Sequence, residues 1–248
     1  MPSRRYPALD TIRGFALVSM ILYHTAWDLV YLFGADWPWY HGFAAYVWQQ
    51  SICWTFILLS GYCWALGRRQ LRRGLTVFLC GALITAVTWA LMPSNLVYCG
   101  VLTLLGASAL LLIPLAPALE RLPARLGLAG SFALFLLFRD VNRGSLGFEG
   151  ARPAALPEGL YRNHLTALLG FPPADFFSTD YFSLLPWFFL FLTGCFLFRL
   201  RPEELREGRP VPLVTAMGRH SLLIYMLHQP VIYALLTAGH FLLTGATV

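Results

Sequence analysis

Lysine is missing from these 248 residues, and acidic and basic side chains together make up only 12% of them. A soluble domain carries roughly 25% charged residues, so the shortage argues against a surface that faces only water. All 18 basic residues are arginine, set against 12 carboxylates and a formal net charge of +6. A basic balance can mark a nucleic-acid binder, but these arginines are spread over connections between apolar runs, where anionic lipid headgroups account for them. No nucleic-acid partner is expected. Cysteine is scarce and unpaired: Cys53, Cys63, Cys80, Cys99 and Cys195 form no CxxC motif and show no metal-ligand spacing. They read as small buried hydrophobes, and no metal site is expected. An internal repeat of the kind common in transporters is also lacking.

What is abundant is apolar. Hydrophobic side chains are 58% of the chain and the mean hydropathy is +0.62. Seven apolar runs, at roughly 11–33, 43–66, 74–92, 96–118, 124–138, 182–200 and 219–243, are long enough or nearly long enough to cross a bilayer as helices, the fifth being the shortest. The first run continues into the second without a small-residue cleavage site, so it reads as an anchor and not a removable signal. The expected fold is all-α, a polytopic membrane helix bundle of about seven transmembrane helices in a single domain, 1–248.

Arginine placement sets the expected orientation. Arg4, Arg5 and Arg13 lie at the start, Arg68, Arg69, Arg72 and Arg73 between runs two and three, Arg121 and Arg125 after run four, and Arg199, Arg201, Arg206, Arg209 and Arg219 between runs six and seven. These connections share one side, which the positive-inside rule makes cytoplasmic; the N-terminus is then cytoplasmic and the C-terminus outside. The long connection 139–181 mixes Arg139, Arg143, Arg152 and Arg162 with Asp140, Glu149, Glu158, Asp175 and Asp180. Balanced charge marks it as an exported loop. Its Gly and Pro content, as in "GFEGARPAALPEG", argues against an extended strand or a long helix and for a partly ordered lid over the outer face.

Several polar groups sit where hydrocarbon penalises them. In "LDTIRGFALVSMILYHTAWDL", His24 and Asp28 are four apart and share a helix face, so the carboxylate is placed to orient the imidazole. At about 1.5 Å per residue from Arg13, His24 falls near the membrane midplane, with Asp28 closer to the outer surface. The plain reading is an interhelical hydrogen bond for His24 and an interfacial partner for Asp28; the functional one is a proton-transfer couple, which a paired titratable set at that depth favours. Asp10 and Arg13, three apart at the inner end, form either a depth-fixing ion pair or part of an inner site. The last run, "GRHSLLIYMLHQPVIYALL", brings His228 to mid-depth, followed by Gln229 and Pro230. The proline removes a backbone donor, so carbonyls near Met226 and Leu227 are expected to open toward a ligand or water. His228 is otherwise an interhelical hydrogen bond. If His24 and His228 serve one site, they must approach each other across the bundle.

His220 lies at the inner boundary, and His41, His164 and His240 lie in or near outer connections, where they read as interfacial or solvated. Ser60 and Gly61 suit close helix approach more than chemistry. The cluster Arg68, Arg69, Arg72 and Arg73 is first a topology signal, yet it is the densest cytoplasmic positive patch and suits phosphates. Asn95, Tyr98 and Thr103 enter with run four, where Tyr98 reads as an aromatic-belt residue.

"RYPALDTIRGFALVSMILYHTAWDL", "FILLSGYCWALGRRQLRRG", "TDYFSLLPWFFLFLTG" and "GRHSLLIYMLHQP" resemble, in order along nearly the whole chain, the bacterial membrane proteins of the heparan-alpha-glucosaminide N-acetyltransferase catalytic-domain family. The resemblance implies a transmembrane acyltransferase of the bacterial inner membrane. It would move an acyl group, in the first instance acetyl, from cytoplasmic acetyl-CoA or another acyl-CoA to a carbohydrate or other small acceptor outside. No permanently bound cofactor is implied. His24 takes the reactive position, with Asp28 and His228 beside it; Asp10 and Arg13 shape the donor site, and Arg72 or Arg73 meets CoA phosphates. Ser60, Asn95, Tyr98, Gln229 and His228 are the candidates for contacting the reacting carbonyl or the acceptor. Similar sequences carry histidine in a G-I-L-H-L-L-G segment where this chain has "GVLTLLG" with Thr103. Direct transfer and an acyl-histidine intermediate both fit, and a homodimer stays open. Two other classes compete: a proton-coupled small-molecule transporter or flippase, and a non-catalytic membrane scaffold.

Overall fold

The computed structural model describes residues 6–200 and 210–245. Arg4, Arg5, Arg201, Arg206 and Arg209, part of the orientation argument, lie outside the described residues. The fold is helical, with one small hairpin, and each of the seven apolar runs forms a helix. These are α1 (Pro7–Tyr31), α2 (Phe43–Trp64), α3 (Gln70–Leu91), α4 (Val101–Glu120), α5 (Ala124–Leu137), α7 (Leu184–Leu200) and α9 (Ser221–Thr244). Between them lie two short helices, α6 (His164–Ala167) and α8 (Pro212–Arg219). Among the described residues three helices, α3, α4 and α9, are long and apolar enough to cross a membrane, and α7 is a shorter apolar helix. α1 and α2 have the length but carry polar side chains within it.

The chain divides into two compact units, residues 1–56 with 203–248 and residues 57–202. In the first, α1 packs on α8 and α9. Contact with α8 is at backbone distance: a Cβ on Gly14 would overlap the carbonyl of Val214, and one on Gly218 would overlap the carbonyl of Asp10. The hydroxyls of Thr11 and Thr215 close the same seam at 2.7 Å. Further along α1, Leu17 and Met20 meet Ile52 of α2, with Tyr23, Trp48, Ile224 and Tyr225 around them. Such close seams suit an apolar solvent, where helix association rests on contact and hydrogen bonds instead of on exclusion of water.

In the second unit α3 packs on α4. Gly81 faces Thr103, whose backbone N and Oγ1 both lie 2.6 Å from where a Cβ on Gly81 would stand. α5 packs on α7 through Gly127 against the Phe196 ring and a 3.0 Å contact between the hydroxyls of Ser131 and Thr193. The last turns of α2 meet α7 where Gly61 abuts the Phe191 carbonyl and Gly194 abuts that of Leu58, so the close approach expected at Ser60–Gly61 is present. Arg199 donates to the carbonyls of Leu119, Glu120 and Leu122 at 2.9–3.1 Å, satisfying the end of α4.

One expectation needs correction. The Gly- and Pro-rich stretch does contain strands: β1 (Ser145–Phe148) pairs antiparallel with β2 (Ala151–Ala155), Ser145 opposite Ala155 and Phe148 opposite Ala151. Its glycines build the hairpin: Gly150 takes the left-handed conformation of the two-residue turn at φ 99°, and Gly147, at φ 134°, forms a bulge. Buried Asp140 receives the Gly150 amide at 2.8 Å and Arg143 at 3.3 Å, which anchors the turn. The arginine-rich connection before the last run contains the separate helix α8, and α9 continues through Pro230, which offers no N–H to the preceding turn.

At the start of α4, Asp180 accepts the Val101 amide at 3.4 Å, and burial pushes its carboxyl up to about 6 against that hydrogen bond. Because the folded-state value exceeds the unfolded one, the stability this group favours is present at low pH and is lost as pH rises through about 6.

The glycine seams predict a sharp positional difference. Gly61→Ala drives a methyl into the Phe191 carbonyl and should lower the thermal unfolding midpoint of the detergent-solubilised protein, at a cost of about 1–3 kcal/mol. Gly130→Ala on α5, where a Cβ meets nothing within 4 Å, should be neutral or slightly stabilising.

Candidate active site

Of the polar groups singled out in the sequence, four come together between α1 and α9. The His24 and His228 imidazoles approach edge-on with ring centroids 4.9 Å apart. One turn further along α1, Asp28, with no exposed surface, accepts a 2.6 Å hydrogen bond on Oδ1 from Nε2 of Gln229. Helix geometry makes the two contacts interdependent. Residues 24 and 28 lie one above the other on α1, and 228 and 229 are adjacent on α9, so fixing one pair fixes the other.

The expected pairing of Asp28 with His24 is corrected: the carboxylate's partner is Gln229. His24 instead packs against rings, those of His228 and of Tyr23, the latter at 6.0 Å. His228 is oriented from its own helix, its Nδ1 lying 2.5 Å from the Tyr225 carbonyl. A carbonyl only accepts, so Nδ1 carries the proton and Nε2 of the neutral ring holds the lone pair. Among the described residues His228 Nε2, Asp28 Oδ2 and Gln229 Oε1 are buried without a hydrogen-bond partner. Each such atom costs about 1–3 kcal/mol. All three, with the imidazole neutral, are acceptors and suit an N–H or O–H group.

At the opposite end of α1, about 21 Å away by helical rise, Asp10 holds Arg13 at 3.0 Å and Arg219 of α8 at 3.8 Å. Two guanidiniums on one carboxylate leave a net positive group. In the sequence Arg219 is only a topology signal; it lies far from Asp10 in the chain, and no spacing rule pairs them.

The remaining candidates belong to the second unit. Arg72 and Arg73 are exposed in the first turn of α3. Ser60 lies in the α2 seam beside Gly61. Asn95 and Tyr98 are held by backbone: the Asn95 carbonyl accepts from Thr179 at 3.3 Å, and Ser178 exchanges hydrogen bonds with the Tyr98 amide and carbonyl at 2.9 Å each. Thr103 is pressed against Gly81 with its hydroxyl buried and unpartnered. Among the described residues no cluster of three or more His, Cys, Asp or Glu side chains arises that would hold a metal ion.

Gln229→Leu leaves the Asp28 carboxylate buried without its donor and should cost about 2–3 kcal/mol in thermal unfolding. The double replacement Asp28→Leu with Gln229→Leu should cost less than the single one. Equal stability of Gln229→Leu and wild type would show that the bond carries no weight.

Comparison with known proteins gives one match. The model for the family described as "Heparan-alpha-glucosaminide N-acetyltransferase, catalytic" covers residues 5–230. Neither the curated proteins nor the solved structures contain a match.

Proposed function

Because the chain belongs to the heparan-alpha-glucosaminide N-acetyltransferase catalytic family, we propose that it is an integral membrane acyltransferase. In this reading it transfers acetyl from cytoplasmic acetyl-CoA to an amine or hydroxyl of a small acceptor, a sugar in the first instance, on the outer side of the bacterial inner membrane. The observation that carries the reading is the His24–His228 contact. Two imidazoles from helices far apart in sequence meet beside the buried Asp28–Gln229 bond, in a segment where each polar group is costly.

The acceptor's nitrogen or oxygen attacks the thioester carbonyl while His24 takes its proton. The new C–N or C–O bond forms, the C–S bond breaks, and CoA leaves as the thiol after receiving a proton. His228, with Nδ1 tied to the Tyr225 carbonyl, presents its Nε2 lone pair beside His24, so the pair shares the charge that develops. Asp28, one turn away, stabilises the resulting imidazolium. Asp10 with Arg13 and Arg219 suits the donor's phosphates in the first unit; exposed Arg72 and Arg73 are the corresponding candidates in the second. Ser60, Asn95 and Tyr98 are retained as substrate contacts, and Gln229 as the residue that holds Asp28.

The topology that goes with this chemistry is seven crossings, N-terminus cytoplasmic, C-terminus and the 139–181 segment outside. The arginine distribution and the formation of a helix by each of the seven apolar runs support it. α5, with 14 residues, is about 21 Å long and crosses only where the bilayer or its neighbours accommodate it.

Purified protein in proteoliposomes, given radiolabelled acetyl-CoA and D-glucosamine, should release CoA and form labelled product, and His24→Ala should lower the rate by about 10²-fold or more. His228→Ala should fall in the same direction. Identical rates for wild type and His24→Ala would remove His24 from the mechanism; no labelled product with any amine or alcohol from folded protein would remove the acyltransferase reading.

A further inference from the structure

Beyond the end of α1 the first unit carries a group of indoles that the reaction chemistry leaves unused. Trp37 and Trp39, flanking the first residue of a short 3-10 turn (Pro38–His41), lie near-parallel with centroids 5.9 Å apart at 26°. Trp39 in turn lies near-parallel to Trp48 of α2, 6.3 Å away at 26°. This is a stair of three rings, and its middle one, Trp39, is 48% exposed.

The stair is fixed from beneath. The Trp48 indole N–H donates to Ser19 at 2.8 Å, and the buried Tyr40 hydroxyl donates to the Tyr23 carbonyl at 3.3 Å while its ring meets Trp39 edge-on at 5.6 Å. It also leads inward. Trp48 touches Tyr23 at 5.2 Å, and Tyr23 touches His24 at 6.0 Å. A continuous run of ring contacts thus joins an exposed surface to the reactive pair. Interface tryptophans anchor membrane proteins at headgroup level; here three indoles lie near-parallel in succession, Trp48 tied to Ser19 by its N–H and Trp39 braced edge-on by the buried Tyr40 ring. Exposed His41, 3.4 Å from the Tyr31 hydroxyl, adds hydrogen-bonding groups on the same side.

We propose that the Trp37–Trp39–Trp48 stair is the acceptor platform, on which one face of a pyranose ring stacks so that its nucleophilic group reaches the His24–His228 pair. The proposal rests on the acyltransferase reading and specifies where its acceptor binds. A pyranose presents a face of C–H bonds rimmed by hydroxyls. An indole offers the matching flat, polarisable surface, and nearby polar groups take the rim. Acyclic amines have no such face and gain nothing from it.

Two measurements on the full chain in nanodiscs separate the proposal from the reading beneath it. In saturation-transfer NMR with D-glucosamine, wild type should mark the sugar's C–H protons; Trp39→Ala should lose the effect and Trp39→Tyr should keep it. In acetyl transfer, Trp39→Ala should raise the KM for glucosamine about five- to tenfold, matching the worth of one aromatic stacking contact. It should leave kcat, the KM for acetyl-CoA and the rate with ethanolamine close to wild type. Equal glucosamine binding and KM in wild type and Trp39→Ala overturns the platform even where transfer itself is observed. A parallel loss with ethanolamine also overturns it, since that marks a structural role. If no transfer occurs, the acyltransferase reading fails by itself, and the NMR comparison still decides for or against sugar binding at the stair.

Discussion

A carboxylate with no exposed surface, set in a helix of otherwise apolar character, requires a donor, and for Asp28 that donor is the Gln229 amide. The bond joins residues 201 apart in sequence and fixes both the rotation and the height of α9 against α1. Given that register, His24 and His228 must face each other, because each lies one turn or one residue from a member of the bond. A neutral amide suits the role. A lysine or arginine there would bring a second charge out of water, and the desolvation of two ions often exceeds their attraction.

The surrounding packing keeps that register without consuming the site's polar capacity. α1 is held to α8 by Gly14, Gly218 and the Thr11–Thr215 contact, all at the Asp10 end, and to α2 by the apolar group around Leu17, Met20 and Ile52. Backbone contact through glycine leaves little room for sliding, so the histidine end of α1 is positioned by seams that leave His24, His228 and Asp28 out of the packing contacts. The opposite ends of one rigid helix then differ in kind: a cationic cluster on Asp10 at one, paired imidazoles and a ladder of aromatic rings at the other. In the proposed acyl transfer, the first end suits donor phosphates and the second the reacting groups.

Much of this was legible in the residues. Apolar run length located the seven long helices to within about five residues, since twenty apolar residues in sequence have few other outcomes. The largest boundary error, at the start of α4, comes from residues 96–100: Cys99 adopts a positive φ of 57° and the segment pairs with residues 178–182. His24, His228 and Gln229 stood out because polar groups in apolar runs are few. What stayed hidden depends on contacts between segments distant in the chain. The i, i+4 rule says Asp28 and His24 share a face, but it does not say which helix offers a better donor. It cannot see Arg219 reaching Asp10 or three tryptophans aligning. The hairpin is hidden in the sequence because Gly and Pro ordinarily interrupt strands, whereas Gly147 and Gly150 here supply the positive-φ conformations that a tight two-residue turn and its bulge require.

The central claim is that the seam between α1 and α9 is where the thioester is cut. An experimental structure with a non-hydrolysable acetyl-CoA thioether tests it most directly. The account predicts the analogue's reactive carbon within about 4 Å of a His24 or His228 nitrogen, with its phosphates toward Arg13 and Arg219. An analogue bound with that carbon remote from both imidazoles would contradict it.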